Sequence, residues 1–288
     1  MSIRNNYKHT LTASYFGYIT QAIVNNFAPL LFVTFQRSFG VSLEKIAGLV
    51  TVNFCLQLII DLVSAKFIDR IGYRVAIVAA HLFAGAGLIM LGTLPFALPD
   101  PYIGLLISIA FYAVGGGLIE VLVSPIVEAC PTDKKSAAMS LLHSFYCWGH
   151  VAVILLTTLF FVTAGIENWR VLAYLWAIVP FANAIYFCLV PINSLAAEEG
   201  SAPMKELFKS KLFWILAVLM ICSGASEQAM SQWSSAFAET GLKVSKTVGD
   251  LLGPCMFATL MGLSRVLYAA FSEKIKLTAF ISASCVMC

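Results

Sequence analysis

Eight stretches of this chain are long and apolar enough to cross a bilayer, and that leaves almost no choice of fold. They run at 11–35, 45–66, 74–95, 102–127, 136–163, 169–191, 211–237 and 247–271, and a ninth starts near 277. A helix needs about 20 apolar residues to span the hydrocarbon core. Inside lipid every backbone N–H and C=O must find a partner within the protein, so a span is either a helix or a strand of a closed barrel. Barrel strands alternate apolar and polar residues, and these runs do not. The expectation is an all-α, polytopic membrane helix bundle. Charged residues make up only 11% of the chain, against roughly 25% in soluble domains, so the chain lacks the polar surface a soluble fold would need. The first run carries Gln21, Asn25 and Asn26 with no small-residue cleavage pattern after it, so it reads as a span rather than a signal peptide.

The basic residues set an orientation. With the N-terminus in the cytoplasm, Arg4, Lys8, Lys66, Arg70, Arg74, Lys134, Lys135, Lys205, Lys209, Lys211, Lys274 and Lys276 fall on the inner side. Arg37, Lys45, Arg170, Lys243 and Lys246 fall on the outer side. That is the asymmetry of the positive-inside rule, and it implies a multi-pass protein of the plasma (inner) membrane. The longest polar connection, 192–210, holds Gly200 and Pro203 and follows the sixth run. It reads as a cytoplasmic linker between an N-terminal six-helix half (1–191) and an incomplete C-terminal half (211–288). The ninth run reaches Cys288 after twelve residues, too few for a span, so the chain reads as interrupted there.

Several chemistries find little support. A net charge of +3 gives no reason to expect nucleic acid as a partner. The eight cysteines are scattered, mostly in apolar runs, where a free thiol behaves as a small hydrophobe. Cys285-Val-Met-Cys288 is a lone CxxC without a second pair and reads as chance. His143 and His150 stand two turns apart without a third ligand. No metal and no cofactor are expected. An intramembrane enzyme is disfavoured too, because neither His-Glu-x-x-His nor Gly-x-Ser-x-Gly occurs.

Two segments echo each other. Asp61-Leu-Val-Ser-Ala-Lys-Phe-Ile-Asp69-Arg70-Ile71 matches Arg265-Val-Leu-Tyr-Ala-Ala-Phe-Ser-Glu273-Lys274-Ile275. In each, an intramembrane charge is followed eight residues later by an acid, a base and Ile. The echo joins the second run to the eighth, as an internal repeat of two six-helix halves requires, and such repeats are how secondary transporters are built.

The loop after the second run, Ala65-Lys-Phe-Ile-Asp69-Arg70-Ile-Gly72-Tyr-Arg74, resembles the signature of the major facilitator superfamily. Gly115-Gly-Gly-Leu-Ile-Glu120-Val-Leu-Val-Ser124-Pro125 and His143-Ser-Phe145-Tyr-Cys-Trp-Gly149 are similar to the fucose-permease branch of it, with Ser124 in place of that branch's Asn. The resemblance implies the major facilitator fold and a carrier of a sugar-like small solute coupled to protons. Asp69, Arg70, Gly72 and Arg74, with Glu273 in the echo, would form a gate latch at the cytoplasmic helix ends. Asp61 and Arg265 would be pair-formers of that latch, each within its own half.

Glu120 is the centre of the functional reading. A carboxyl inside a bilayer helix is costly and marks a functional site by default. Withdrawing water from a carboxyl favours its neutral form, so such a group can take and release a proton near neutral pH. Helical spacing gathers polar partners on shared faces: Gln21 and Asn25 with Asn26 beside them; Asn53, Gln57 and Asp61; His143, Tyr146 and His150; Glu227 with Ser231 and Gln228 with Gln232, followed by Trp233. Such faces look inward in a membrane bundle. Gln21, Asn25, Asn26, His143, Glu227, Gln228 and Trp233 are therefore expected to line the solute cavity, with Glu120 as the proton-coupling group. The alternative is a truncated, non-transporting fragment or a helper subunit of a membrane complex.

Overall fold

The computed structural model describes residues 3–132, 135–193, 208–271 and 282–283. Most of the linker, Glu273, the cysteine pair at 285 and 288 and most of the ninth run lie outside the described residues.

Every span is helical. In chain order they are α1 (Tyr7–Asn26), α2 (Phe32–Phe39), α3 (Leu43–Ile71), α4 (Tyr73–Ala97), α5 (Pro101–Glu128), α6 (Lys135–Ala164), α7 (Trp169–Leu189), α8 (Lys211–Thr240), α9 (Lys246–Asp250) and α10 (Met256–Phe271). The described residues hold eight helical segments long and apolar enough to cross a membrane. Local chemistry sets the boundaries. The Ser42 and Asp100 side chains accept from the Lys45 and Tyr102 amides at 3.4 and 2.9 Å, and so cap α3 and α5. Ser210 and Ser245 do the same for α8 and α9. Gly72, at φ +82°, makes the one-residue joint between α3 and α4, a conformation that residues with a Cβ rarely adopt.

Two runs expected as single helices are broken, both at proline. Between α1 and α2 the chain tightens into a 3₁₀ turn at Ala28–Leu31, which contains Pro29. Between α9 and α10 it widens into a π turn at Leu251–Cys255. Pro254 offers no N–H to the Asp250 carbonyl four residues back, so the ladder cannot continue there unchanged. Turns of this kind inside helices concentrate at functional positions.

The packing follows small residues. α4 lies along α5 and α7, α3 along α5, and α1 along α5 and α6. A Cβ on Gly87 would come within 2.5 Å of the Tyr112 backbone nitrogen. Close backbone approach of this sort is how bilayer helices gain contact without a hydrophobic driving force. Large apolar side chains such as Leu62, Ile185 and Val162 point outward, 62–67% exposed, where lipid would cover them.

α8 meets α1 through polar contacts. The Gln232 amide donates to the Asn25 carbonyl at 2.9 Å, and the Ser231 hydroxyl donates to Asn26 Oδ1 at 2.9 Å. α10 packs on α6.

Candidate functional site: a polar cavity between the helices

A cavity of about 330 Å³ opens among six helices. α1 contributes Tyr18, Gln21 and Asn25; α3 contributes Phe54, Gln57, Leu58 and Asp61. Glu120 comes from α5, His143 and Tyr146 from α6, Glu227 and Gln228 from α8, and Arg265 from α10. The volume lies at the small end of ligand sites.

The glycine run of α5 builds one wall. At Gly115 a Cβ would meet the Ala80 carbonyl at 2.5 Å, so α4 seats there. At Gly116 it would meet Gln21 Oε1 at 2.9 Å, from α1. At Gly117 it would meet Gln57 Cα at 3.1 Å, from α3. Three adjacent glycines thus receive three different helices. They bring the Gln21 and Gln57 amides beside the carboxyl one turn further on.

Those amides form a directed network. Gln21 Nε2 donates to Glu120 Oε2 at 3.2 Å and approaches Gln57 Oε1 at 3.5 Å. Gln57 Nε2 donates to Asn25 Oδ1 at 2.9 Å and to Asn53 Oδ1 at 3.2 Å. Gln21, Asn25, Asn53 and Gln57 are all buried, whereas Glu120 keeps an exposed face toward the cavity. On the other side the Tyr18 hydroxyl lies 3.2 Å from Ser124 Oγ, and the Tyr18 ring sits 5.5 Å from that of His143. Three buried side-chain oxygens on cavity residues have no hydrogen-bond partner: Gln21 Oε1, Asp61 Oδ1 and Gln228 Oε1.

The sequence reading and this geometry differ at several residues. Gln21, Asn25, Glu120, His143, Glu227 and Gln228 come together on the cavity. Asn26 and Trp233 do not. Asn26 turns away, bonding the Ala22 carbonyl at 2.9 Å and receiving Ser231, so its amide ties α1 to α8. Trp233 packs on Phe32, ring centres 5.2 Å apart. Asp61 and Arg265, expected at a latch, stand on the cavity wall instead; Asp61 lies nearly three turns before the end of α3 at Ile71.

The loop group is dispersed. Arg70 is exposed, and Arg74 reaches the Phe187 and Cys188 carbonyls at 2.7 and 3.1 Å, closing the C-terminal end of α7. The Asp69 and Glu273 side chains lie outside the described residues.

A second polar cluster lies near the helix ends joined by loops 40–42, 165–168 and 241–245, the outer end in the sequence reading. The Asp250 side chain is fully buried and receives Lys246 Nζ at 3.1 Å, Thr158 Oγ1 at 3.4 Å and the Ser235 hydroxyl. Lys246 Nζ also donates to the Leu30 carbonyl in the 3₁₀ turn, at 2.5 Å. Arg37 pairs with Glu239 at 3.0 Å. These contacts form a lock that joins α2, α6, α8 and α9 at this end. The sequence reading placed Lys246 in an outer loop; its i, i+4 spacing to Asp250 was the signal that could have found the pair. His81 was also missed: fully buried, it contacts the Ile77 carbonyl at 2.8 Å and the Asn183 amide at 2.9 Å, binding α4 to α7.

Among the described residues no three His, Cys, Asp or Glu side chains converge as a metal site. The fold and cavity define a multi-pass membrane bundle with a polar chamber among its helices. The chain belongs to the Major Facilitator Superfamily, whose family model matches residues 14–288. That family is one of transporters, not enzymes. No curated protein matches the chain. Among solved structures it is similar to a POT family transporter in complex with 5-aminolevulinic acid, at 20% identity and a TM-score of 0.49. It is also similar to a POT family transporter in complex with a thioalcohol-conjugated peptide, at 19% identity and a TM-score of 0.48. Each match covers 76% of this chain and 45% of the other, so the chain spans less than half the length of those proteins.

Proposed function

We propose that this chain forms the solute-binding body of a secondary active transporter that moves a small, sugar-like solute with protons. The observation that carries the reading is Glu120, a carboxyl exposed to a polar chamber and held on one oxygen by Gln21. A carboxyl so placed can load a proton from the chamber and reset the Gln21–Gln57–Asn25 chain when it does. The amides, tyrosines and carboxylates around it suit a polyhydroxylated solute, and Phe54 and Leu58 supply an apolar wall. The two parts, 1–191 and 211–288, would rock about this chamber, joined by the linker at 192–210. The outer lock at Asp250 would open as the cytoplasmic latch around Asp69, Arg70, Gly72, Arg74 and Glu273 closes. The N-terminus would face the cytoplasm at the plasma (inner) membrane.

The test is proton-driven uptake of radiolabelled hexoses by the protein in liposomes. Glu120→Gln should abolish accumulation against a gradient while exchange of solute across the membrane persists. Accumulation by the Gln variant would remove Glu120 from the coupling role.

A further inference from the structure

We propose that the solute carries a primary ammonium group beside its hydroxyls, and that Asp61 is the anchor for it. The inference rests on the carrier reading above and narrows its substrate class.

The chamber is unbalanced in charge. Asp61, Glu120 and Glu227 face it, against Arg265 alone, with His143 beside them. Among the described residues Arg265 makes no ion pair within 4.0 Å, and neither do the three acids. With Glu120 holding the coupled proton, Asp61 and Glu227 still outweigh Arg265. A neutral polyol needs acceptors and donors in similar number and has no use for a surplus negative charge, whereas a cation is retained by it.

The hydrogen-bond inventory points the same way. The amide N–H groups of Gln21 and Gln57 are spent on Glu120, Gln57, Asn25 and Asn53. Facing the Arg265 guanidinium, the chamber wall keeps three unpaired oxygens. Gln21 is only 2% exposed, lines the chamber, and has no partner for Oε1; Gln228 Oε1 and Asp61 Oδ1 are likewise unpaired. An unmet buried acceptor is costly, so a guest that brings donors to these oxygens would be favoured. An ammonium group offers three N–H donors and no acceptor, and one contact to a carboxylate makes a charge-assisted bond. Glu120 already receives Gln21, and of the two carboxylates left, Asp61 and Glu227, it is Asp61 that holds a buried oxygen without a partner. Arg265, across the chamber on α10, would keep the ammonium on the α3 side.

The experiment is thermal unfolding of the purified full chain in detergent, in slightly acidic buffer where amino sugars are protonated. The ligands are glucosamine, galactosamine and mannosamine, the three parent hexoses, and glucuronate. At least one amino sugar should raise the unfolding temperature while its parent hexose does not. Asp61→Asn should weaken that response about 30-fold or more in ligand concentration, and Asp61→Glu, which keeps the charge, should retain it. An equal response to parent hexoses, unchanged in Asp61→Asn, would overturn the ammonium anchor and leave the sugar carrier standing. A response to glucuronate alone would overturn it in favour of Arg265. No response to any of the seven would overturn both the anchor and the sugar reading.

Discussion

Lys246→Met tests whether the Lys246–Asp250 lock holds the described conformation. The variant keeps much of the side chain's length and apolar stem but removes the ammonium. Asp250, with 0% side-chain exposure, then loses its 3.1 Å cation partner, and the Leu30 carbonyl loses its donor. Removing one partner of a buried ion pair costs about 3–5 kcal/mol, because the other charge stays behind without compensation. Lys246 keeps 18% exposure, so the lower end applies, near 3 kcal/mol. That cost falls on an arrangement in which the pair is buried and not on one in which this end is open to water. At 1.4 kcal/mol per decade it favours the open state by roughly 100-fold. Cys255 is the reporter. It is 7% exposed and packs with Leu30 and Ile154 beside the lock. Its alkylation by N-ethylmaleimide in detergent, read by peptide mass spectrometry, should accelerate by about that factor. Cys130 is the internal reference: it lies past the far end of α5, its thiol donates to the Ile126 carbonyl at 3.3 Å, and burial pushes it up to about 11. It should react slowly in every variant. Lys246→Met/Asp250→Asn, which removes both charges, should return Cys255 most of the way to its parental rate. An unchanged Cys255 rate in a folded Lys246→Met protein would refute the argument that this pair keeps the end shut.

The remaining tests address what seats the helices. Gly115→Ala places a Cβ 2.5 Å from the Ala80 carbonyl and the Ala84 nitrogen, both backbone, so α4 and α5 must part; it should destabilise by about 1–3 kcal/mol, seen as a lower unfolding temperature. Arg74→Ala removes two bonds from the Phe187 and Cys188 carbonyls; a loss of about 1–2 kcal/mol is expected, with faster proteolysis at the C-terminal end of α7. A protein that tolerates either change without loss would show that the contact is incidental.

Hydropathy carried most of the fold into view, because a bilayer removes every alternative to the helix and the runs are long. The breaks at Ala28–Leu31 and Leu251–Cys255 were less legible. A proline in a membrane run says that one hydrogen bond is missing, but neighbouring helices decide whether the result is a kink, a tight turn or a wide one. The site was legible in part for a related reason. Polar residues at i, i+4 spacing name a face, and a face can look into a chamber or into a neighbouring helix. Gln21 and Asn25 took the first course. Asn26, one residue on and so about 100° around α1, took the second and became a tie to Ser231.

Asp250 and Glu120 show the same distinction in charge. Both are intramembrane carboxyls, and sequence treats such residues alike as functional candidates. Asp250 is enclosed by a cation and two hydroxyls, with no exposed surface. Glu120 is held by a single amide and faces open space. A carboxyl whose bonds are all taken by protein can only lock or release, whereas one with a free face can exchange protons and meet a solute. In the proposed carrier, a division of labour between coupling and gating would rest on the count of partners around each acid. That count depends on which helices meet, and in α5 it depends on three glycines that let α4, α1 and α3 come close. Filling Gly116, where a Cβ would stand 2.9 Å from Gln21 Oε1, should therefore disturb Glu120 without touching it.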